Sequence, residues 1–249
     1  MEKPFTYTFT DGHTADVIQV NSFVELSNAL QSLGFDSHVP VLVLVGGASG
    51  ISEADMLRLK QLFITEIAPL VQKLGVAVVD GGTDAGIMRL IGQARTEISA
   101  TFPLIGVAAI DTVTLCDRPV PRPDAAPLEP NHTHFVLVPG SNWGDESPWL
   151  SRIATLLSDG FPSVTLVVNG GEITFQDVSN SVKADRPVVV LNGSGRTADK
   201  LAAALRGEVT DPRAHELADS GQLQTINLIK QPSHFAREMT KMLAKILHF

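Results

Sequence analysis

The stretch Val76–Leu90, VAVVDGGTDAGIMRL, decides the fold. Its first apolar run, Val76–Val79, has the length and the β-branched content of a buried strand. Gly81, Gly82 and Thr83 follow directly, and apolar residues then recur at the three- and four-residue spacing of a helix. A strand, a glycine turn and a helix in this order leave free backbone N–H groups that favour an anion such as phosphate. The alternative is a tight turn that binds nothing.

Six more apolar runs predict strands at Val41–Val45, Leu104–Ile110, His134–Val138, Val164–Val168, Pro187–Leu191 and Leu223–Ile229. Phe5–Thr10 and Ala15–Val20 flank an Asp-Gly turn, which predicts a hairpin at the sheet edge. Because strands alternate with helices, we predict an α/β fold: a Rossmann-like, doubly wound, mostly parallel sheet of six or seven strands with an N-terminal β-hairpin at its edge.

We expect the chain to form a single domain over residues 1–249. Within it, the hairpin and a first helix occupy residues 1–38, the core occupies 41–205, and a last strand and helix occupy 206–249. Ser52 is expected to cap a long helix that bends at Pro69, and Ser233 to cap the terminal helix.

Composition argues against several classes of protein. The formal net charge of −8 disfavours a nucleic acid or an anionic membrane as the main partner. The single cysteine, Cys116, cannot form an internal disulfide or a cysteine cluster for a metal. No signal peptide is evident, and no apolar run approaches the roughly 18 residues of a membrane span. We expect a cytoplasmic protein without membrane insertion, and a homo-oligomer is an open alternative.

The glycine clusters predict where a ligand binds, because the carboxyl ends of parallel strands meet at one edge of the sheet. All of these clusters follow predicted strands. The candidate ligand-binding residues in and beside them are Gly46, Gly47, Gly81, Gly82, Thr83, Gly140, Trp143, Gly144, Glu146, Gly193, Ser194, Gly195 and Arg196.

The side chains in these clusters suit parts of a nucleotide. Arg196 can pair with a phosphate, or it can simply be solvated. Glu146 can act as a general base or accept hydrogen bonds from ribose hydroxyls, and the alternative is a glutamate that favours the start of a helix. Trp143 can stack on a base or cover the core. Asp80 and Asp84 would repel phosphate, so they suit ribose, a cation or capping.

Other sites are less favoured by the sequence. Residues 193–198 fit the GxGxxA spacing, but the next strand ends near Lys230 instead of an acidic residue, which argues against a hydride-transferring dehydrogenase. His132 and His134 share a strand face without an evident third ligand, so no metal site is assigned. Ser49 and Ser141 lack the setting of a hydrolase nucleophile. The proline-rich segment 111–130 has the length of a lid or binding loop.

Several motifs occur in the order of a known family: Val45–Ala48, Gly81–Ala94, Ile105–Ala108, Pro130–Phe135, Trp143–Glu146 and Val188–Asp199. In these motifs the chain resembles the SLOG superfamily, and within it the LSDAT branch that also forms the cytosolic N-terminal region of melastatin-type (TRPM) cation channels. The resemblance implies a Rossmann-like fold that binds a nucleotide-derived ligand, with ADP-ribose-like compounds favoured. The resemblance implies that Thr83, Trp143 and Arg196 contact the ligand. It also suggests Arg152, although the channel pattern places its arginine where this chain has Leu150.

The superfamily also includes LOG-type phosphoribohydrolases, whose PGGxGTxxE signature is similar to PGSNWGDE at the fourth predicted strand. Pro139, Gly140, Gly144 and Glu146 are kept, but one extra residue separates the glycines and the threonine is absent.

Three functions therefore remain as alternatives. The first is a sensor or ligand-binding domain for ADP-ribose, an NAD-like compound or a nucleoside phosphate. The second is an N-glycosidase with Glu146 as the catalytic residue and Arg89 or Arg152 on the phosphate. The third is a structural domain with an empty groove. No cofactor beyond the nucleotide-derived ligand is assigned.

Overall fold

The computed structural model describes residues 2–47, 50–115, 118–228 and 237–241. Its strands are β1 (Phe5–Thr8), β2 (Thr14–Gln19), β3 (Val41–Gly46), β4 (Ala77–Asp80), β5 (Leu104–Ala109), β6 (Val113–Thr114), β7 (Ala126–Pro127), β8 (His134–Val138), β9 (Ser163–Val168), β10 (Val188–Asn192) and β11 (Leu223–Asn227). Its helices are α1 (Leu26–Ser32), α2 (Glu53–Leu62), α3 (Ala68–Leu74), α4 (Gly86–Glu97), α5 (Ser147–Leu157), α6 (Glu172–Lys183), α7 (Arg196–Leu205) and α8 (Pro212–Ala218).

Nine of these strands form one sheet in the order β1-β2-β8-β5-β4-β3-β9-β10-β11. Neighbouring strands are parallel except for the antiparallel hairpin of β1 and β2, which joins the sheet through a parallel pairing of β2 with β8. The predicted fold is therefore confirmed: seven parallel strands carry an N-terminal hairpin at one edge. The order of strands reverses at β3, which has β4 on one side and β9 on the other. Ligands of such sheets bind beside this reversal, at the carboxyl ends of the strands.

Both faces of the sheet are covered by helices, as the uninterrupted apolar strands require. In β3, Val41, Val43 and Val45 pack on the face that carries α1, α5, α6, α7 and α8. Leu42 and Leu44 pack on the opposite face with α2, α3 and α4. Successive side chains of a strand point to opposite faces, so one apolar run supplies two cores.

The helix expected from Ser52 onward is divided in two. The Ser52 hydroxyl accepts a hydrogen bond from the Asp55 N–H at 3.1 Å and caps α2. A π-helical turn over Phe63–Ile67 then separates α2 from α3, and Pro69 lies in the first turn of α3. Proline has no N–H to donate within a helix, so the interruption comes directly before it.

The proline-rich segment contains more regular structure than its sequence indicates. After a 3-10 turn over Ile110–Thr112, the short strands β6 and β7 pair in parallel. Leu128 then forms an antiparallel bridge with Thr83. The segment is thereby attached to the turn that follows β4.

Arg186 lies at the opposite, amino end of the strands and is 2% exposed. Its guanidinium donates hydrogen bonds to the Ser163 hydroxyl at 3.1 Å, the Ser151 carbonyl at 3.1 Å and the Thr155 hydroxyl at 2.9 Å. Burial lowers the pKa of Arg186 to about 10. These bonds link α5 to β9 and satisfy a buried cation with neutral groups.

Some sequence-based expectations fall outside the described residues. These concern Ser49, Cys116, the Ser233 cap and the end of the last predicted strand at Ile229. In the part of the chain that is described, no helix combines the length and apolar character needed to cross a bilayer.

Candidate functional site

A cavity of about 260 Å³ lies at the carboxyl edge of the sheet, beside the reversal of strand order. Six of the candidate residues line it together: Gly46, Gly81, Thr83, Trp143, Glu146 and Arg196. The other lining residues are Leu44, Val45, Met88, Ala108, Thr112, Leu150, Gly171, Glu172, Ile173, Thr174 and Asp177.

Gly46 brings two strands together at the wall of the cavity. Its φ is +153°, and a Cβ at this position would lie 1.9 Å from the Val168 carbonyl oxygen at the end of β9. Gly47 then donates its N–H to the same carbonyl at 3.1 Å. The Gly47 N–H is thus used within the protein, whereas Gly46 lines the cavity.

The turn after β4 is held on its inner side and faces the cavity on the other. The Gly82 N–H donates to Asp80 Oδ1 at 2.7 Å, and the Gly82 carbonyl accepts the Glu129 N–H at 2.9 Å. A Cβ on Gly82 would lie 2.7 Å from the Gly106 Cα, so glycine permits this close approach of backbones. Gly82 is therefore structural, and Gly81 and Thr83 present the turn to the cavity.

Behind this turn lies a buried triad made of Asp80, Glu129 and His132. The His132 Nε2 is 2.8 Å from Asp80 Oδ1, and its Nδ1 is 2.8 Å from Glu129 Oε2. The three side chains are 0 to 1% exposed. Burial lowers the pKa of His132, but the two carboxylates outweigh it and raise the pKa to about 9. His132 is thus a cation at neutral pH.

Neighbouring groups complete the buried triad. Asn131 donates its N–H to Glu129 Oε2 at 2.9 Å, and its side-chain amide also donates to Glu129. Gly92 in α4 leaves room for this carboxylate, because a Cβ there would lie 2.2 Å from Glu129 Oε2. The second Asp80 oxygen, Oδ2, has no hydrogen-bond partner in the described part of the chain. In the described residues, Asp80 therefore accepts hydrogen bonds through Oδ1 alone.

The turn after β10 does not line the cavity, although it was predicted to bind the ligand. The Gly193 N–H donates to Asp199 at 2.6 Å, and the Ser194 hydroxyl accepts the Asn169 N–H at 2.8 Å. The Asn169 amide also donates to the Ser194 carbonyl at 2.7 Å, close to Gly195. These contacts occupy the Gly193 N–H and the Ser194 hydroxyl within the protein.

The loop after β8 is also held by its own side chains. Asp145 Oδ2 accepts the N–H groups of Ser141 and Asn142 at 3.0 and 2.9 Å, and it packs against Gly140. The Gly144 N–H donates to Glu146 Oε2 at 2.9 Å. Gly140 and Gly144 thus shape the loop, and it is Trp143 and Glu146 that line the cavity.

Trp143 is positioned by the proline-rich segment. Its indole N–H donates to Asp124 Oδ2 at 3.1 Å. Arg122 binds both oxygens of Asp124, at 2.5 and 3.1 Å, and also donates to the Ser141 carbonyl. The orientation of the indole at the cavity therefore depends on Asp124, which lies 19 positions earlier in the chain, and on its partner Arg122.

Glu146 and Asp177 form a carboxyl pair in the cavity wall. Glu146 precedes α5, Asp177 lies in the middle of α6, and these two helices pack together. Burial raises the pKa of Glu146, and the nearby charge of Asp145 adds to the effect. Burial and then the charge of Glu146 raise the pKa of Asp177 to about 7, against a hydrogen bond from Ser147. In the described residues, neither carboxylate has a basic partner within 4 Å.

The other end of the cavity is basic. The Arg196 guanidinium lies beside Gly50 and Gly171, about 3.0 and 3.3 Å from where a Cβ would be on each. Arg196 itself has a φ of +50°, a left-handed conformation that L-residues rarely adopt and that often occurs at functional sites. Residues 171–174, the first turn of α6, line the same end, so the N–H groups of a helix start accompany the arginine.

The remaining polar candidates lie elsewhere. Arg152 is on the exposed face of α5 and does not line the cavity, whereas Leu150 does. His134 packs on Phe35 and its Nδ1 lies 2.7 Å from the Thr133 hydroxyl. Arg89 forms an ion pair with Asp84 at 2.6 Å. In the described ranges, no three histidine, cysteine or acidic side chains are placed to hold a metal ion.

Sequence reasoning missed two parts of this site. Asp177 lies inside an ordinary amphipathic helix, and no local pattern marks it. The start of α6 follows Gly170-Gly171, a glycine cluster just after the predicted strand Val164–Val168 that is not among the candidate ligand-binding residues. That cluster was the available signal.

Comparisons with known proteins identify the family of this chain. The family model described as "SLOG in TRPM, prokaryote" matches residues 39–237. Because the match covers most of the chain, this protein belongs to the LSDAT branch of the SLOG superfamily, as its motifs indicated.

Similar proteins include cation channels. The chain is 27% identical over 226 residues to the transient receptor potential cation channel subfamily M member-like 2 of Nematostella vectensis, covering 76% of this chain and 14% of the channel. It is 26% identical over 207 residues to member 2 of the same subfamily in Mus musculus, covering 69% of this chain and 14% of the channel. The chain thus spans about a seventh of the length of these relatives.

The fold also resembles a solved structure. The X-ray structure of TM1055 superposes with a TM-score of 0.54 at 17% identity, covering 82% of this chain and 99% of that one. This similarity supports the Rossmann-like architecture alone.

Proposed function

We propose that this chain binds a nucleotide-derived ligand in the cavity at the carboxyl edge of the sheet, as a sensor or ligand-binding domain. The observation that carries the proposal is that Thr83, Trp143, Glu146 and Arg196, which come from two separate loops and a helix start, line one cavity. Family membership agrees with a nucleotide-related ligand.

The charges of the cavity indicate how the ligand lies. Its basic end, with Arg196 and the N–H groups of the α6 start, suits a phosphate. The carboxyl pair would repel phosphate and suits hydroxyl groups instead, while the indole of Trp143 offers a surface for a base. A cavity of about 260 Å³ is small for a binding site, since ligand pockets usually measure about 300 to 1,000 Å³. We therefore infer that one phosphate and its ribose are enclosed.

Binding is tested by calorimetric titration with AMP, ADP-ribose and NAD. We expect at least one of them to bind, and Arg196→Ala to weaken that binding about 10- to 100-fold, because it removes a charge-assisted hydrogen bond. Arg152→Ala is the matched control and should bind like the wild type. Equal losses in the two variants would contradict the proposed position of the phosphate, and no binding of any of the three would contradict the proposed function.

A second candidate function is cleavage of the N-glycosidic bond. The direction of the pKa shift of Glu146 favours it, because burial raises this pKa and a carboxyl with a raised pKa is better suited to act as a general acid. The test is chromatographic detection of free adenine or nicotinamide after incubation with AMP or NAD. Release that is lost in Glu146→Gln would support the enzyme, and binding without release would support the sensor.

A further inference from the structure

We propose that Glu146 and Asp177 together recognise the two adjacent hydroxyl groups of a ribose ring. This inference rests on the proposed function and assigns a role within the same cavity to Asp177, which carries no motif of its own. It identifies the sugar that the ligand must contain.

The first argument is position. Asp177 lies six residues after Gly171 on α6, roughly 9 Å further along the helix axis. Arg196 lies against Gly171, so the carboxyl pair and the guanidinium are at opposite ends of one cavity wall. A nucleoside 5′-phosphate spans such a separation once a hydrogen-bond length is added at each end.

The second argument is hydrogen-bonding capacity. Each hydroxyl of a ribose can donate one hydrogen bond and accept others. An ionised carboxylate only accepts, whereas a protonated carboxyl also donates. Because the pKa of Asp177 is about 7 and that of Glu146 is also raised, the pair holds a proton over part of the neutral range. The pair can then offer both a donor and acceptors to the two hydroxyls.

The third argument is the lack of internal compensation. Among the described residues, the polar groups that contact the pair are Ser147 and the Gly144 N–H. Glu172 on the same helix forms an ion pair with Arg213 at 2.7 Å. Partly buried carboxyls without a cation are costly for a folded protein unless a ligand supplies partners. Ca²⁺ is less suited to the pair, because it takes six to eight oxygens and the described residues offer no third acidic ligand.

The experiment compares AMP with 2′-deoxy-AMP, which lacks one of the two hydroxyls, by calorimetry in EDTA. We expect the wild type to bind AMP about tenfold more tightly, the difference that one hydrogen bond to a charged group provides. Asp177→Ala should bind both nucleotides equally. Asp177→Asn keeps the size of the side chain and should reduce the preference to about threefold, because a neutral hydrogen bond is weaker. Asp159→Ala, which removes an exposed carboxyl, should keep the tenfold preference.

The outcomes separate the two proposals. If the wild type binds AMP and 2′-deoxy-AMP equally, or if Asp177→Ala keeps the preference, the role of the pair is wrong and nucleotide binding stands. A requirement for Mg²⁺ in place of EDTA would show that the pair holds a cation, which also overturns the inference. If the wild type binds none of AMP, ADP-ribose and NAD, the proposed function fails and the inference fails with it.

Discussion

The buried triad and the carboxyl pair lie at the same edge of the sheet. They differ in whether their carboxylates have a cationic partner. In the triad, His132 sits between Asp80 and Glu129 at 2.8 Å from each, in a region closed to solvent. In the pair, Glu146 and Asp177 face a cavity, and no basic side chain in the described part of the chain meets them. Charges that compensate one another hold a turn in place, and charges without compensation are available to a ligand.

The largest expected effect comes from breaking the triad. We expect His132→Leu to lower the free energy of unfolding by about 3 to 5 kcal/mol, because it leaves two carboxylates buried without their cation. Chemical denaturation at pH 7 measures the change. His13→Leu is the control, since His13 is about half exposed and its substitution should cost under roughly 0.5 kcal/mol.

The pH dependence of this difference identifies its cause. The pKa of His132 is raised to about 9 in the folded protein from an ordinary value near 6.5. Its contribution to stability is therefore complete below about pH 6.5 and is lost as the pH rises through about 9. The gap between wild type and His132→Leu should narrow over this interval. A constant gap would mean that packing, and not charge, is what the histidine provides.

A smaller effect is expected from crowding the triad without removing any member of it. In most helices, replacing glycine by alanine stabilises by about 1 kcal/mol. Gly92→Ala should instead destabilise by about 1 to 3 kcal/mol, because its Cβ would meet the Glu129 carboxylate. Gly81→Ala is the control, since nothing lies within 4 Å of a Cβ there. A stabilising Gly92→Ala would show that the carboxylate of Glu129 can move away at little cost.

The smallest change in the free energy of unfolding is expected from a substitution in the carboxyl pair, and this change is stabilising. At pH 8 the folded protein must keep Asp177 ionised at a position that favours its protonated form. Asp177→Asn removes this penalty and should stabilise by about 1 to 2 kcal/mol. Because the pKa of Asp177 is raised, its cost develops as the pH rises from about 4 to 7 and is absent at lower pH. Denaturation at pH 4 and pH 8 tests this, with Asp159→Asn as the control, and a destabilised variant at pH 8 would refute it.

The sheet could be predicted from the sequence because its signals are local. Five of the seven parallel strands, from β3 to β10, are short apolar runs followed by a glycine turn and a helical pattern. The hairpin and its place at an edge were also predicted. The order of strands within the sheet was not, because pairings such as that of β2 with β8 join segments more than 100 residues apart.

The candidate site could be predicted only in part. Residues beside a strand end, such as Thr83 and Arg196, share the cavity because the sheet aligns those ends. Some glycines in these turns make hydrogen bonds within the protein instead, as at Gly193, whose N–H donates to Asp199. Which polar groups are already satisfied depends on side chains from other elements, and this information is not present in a turn motif. For the same reason, neither Asp177 nor the partnership of Glu129 with His132 was predicted.

The bond from Asp124 to Trp143 has an evolutionary consequence. The indole that borders the cavity takes its orientation from a segment outside the main sheet, through Asp124 and Arg122. Substitutions in that segment can therefore alter the orientation of the indole at the cavity without changing the strands of the main sheet. The shape of the cavity and the stability of the sheet can then change separately during evolution, because different parts of the chain govern them.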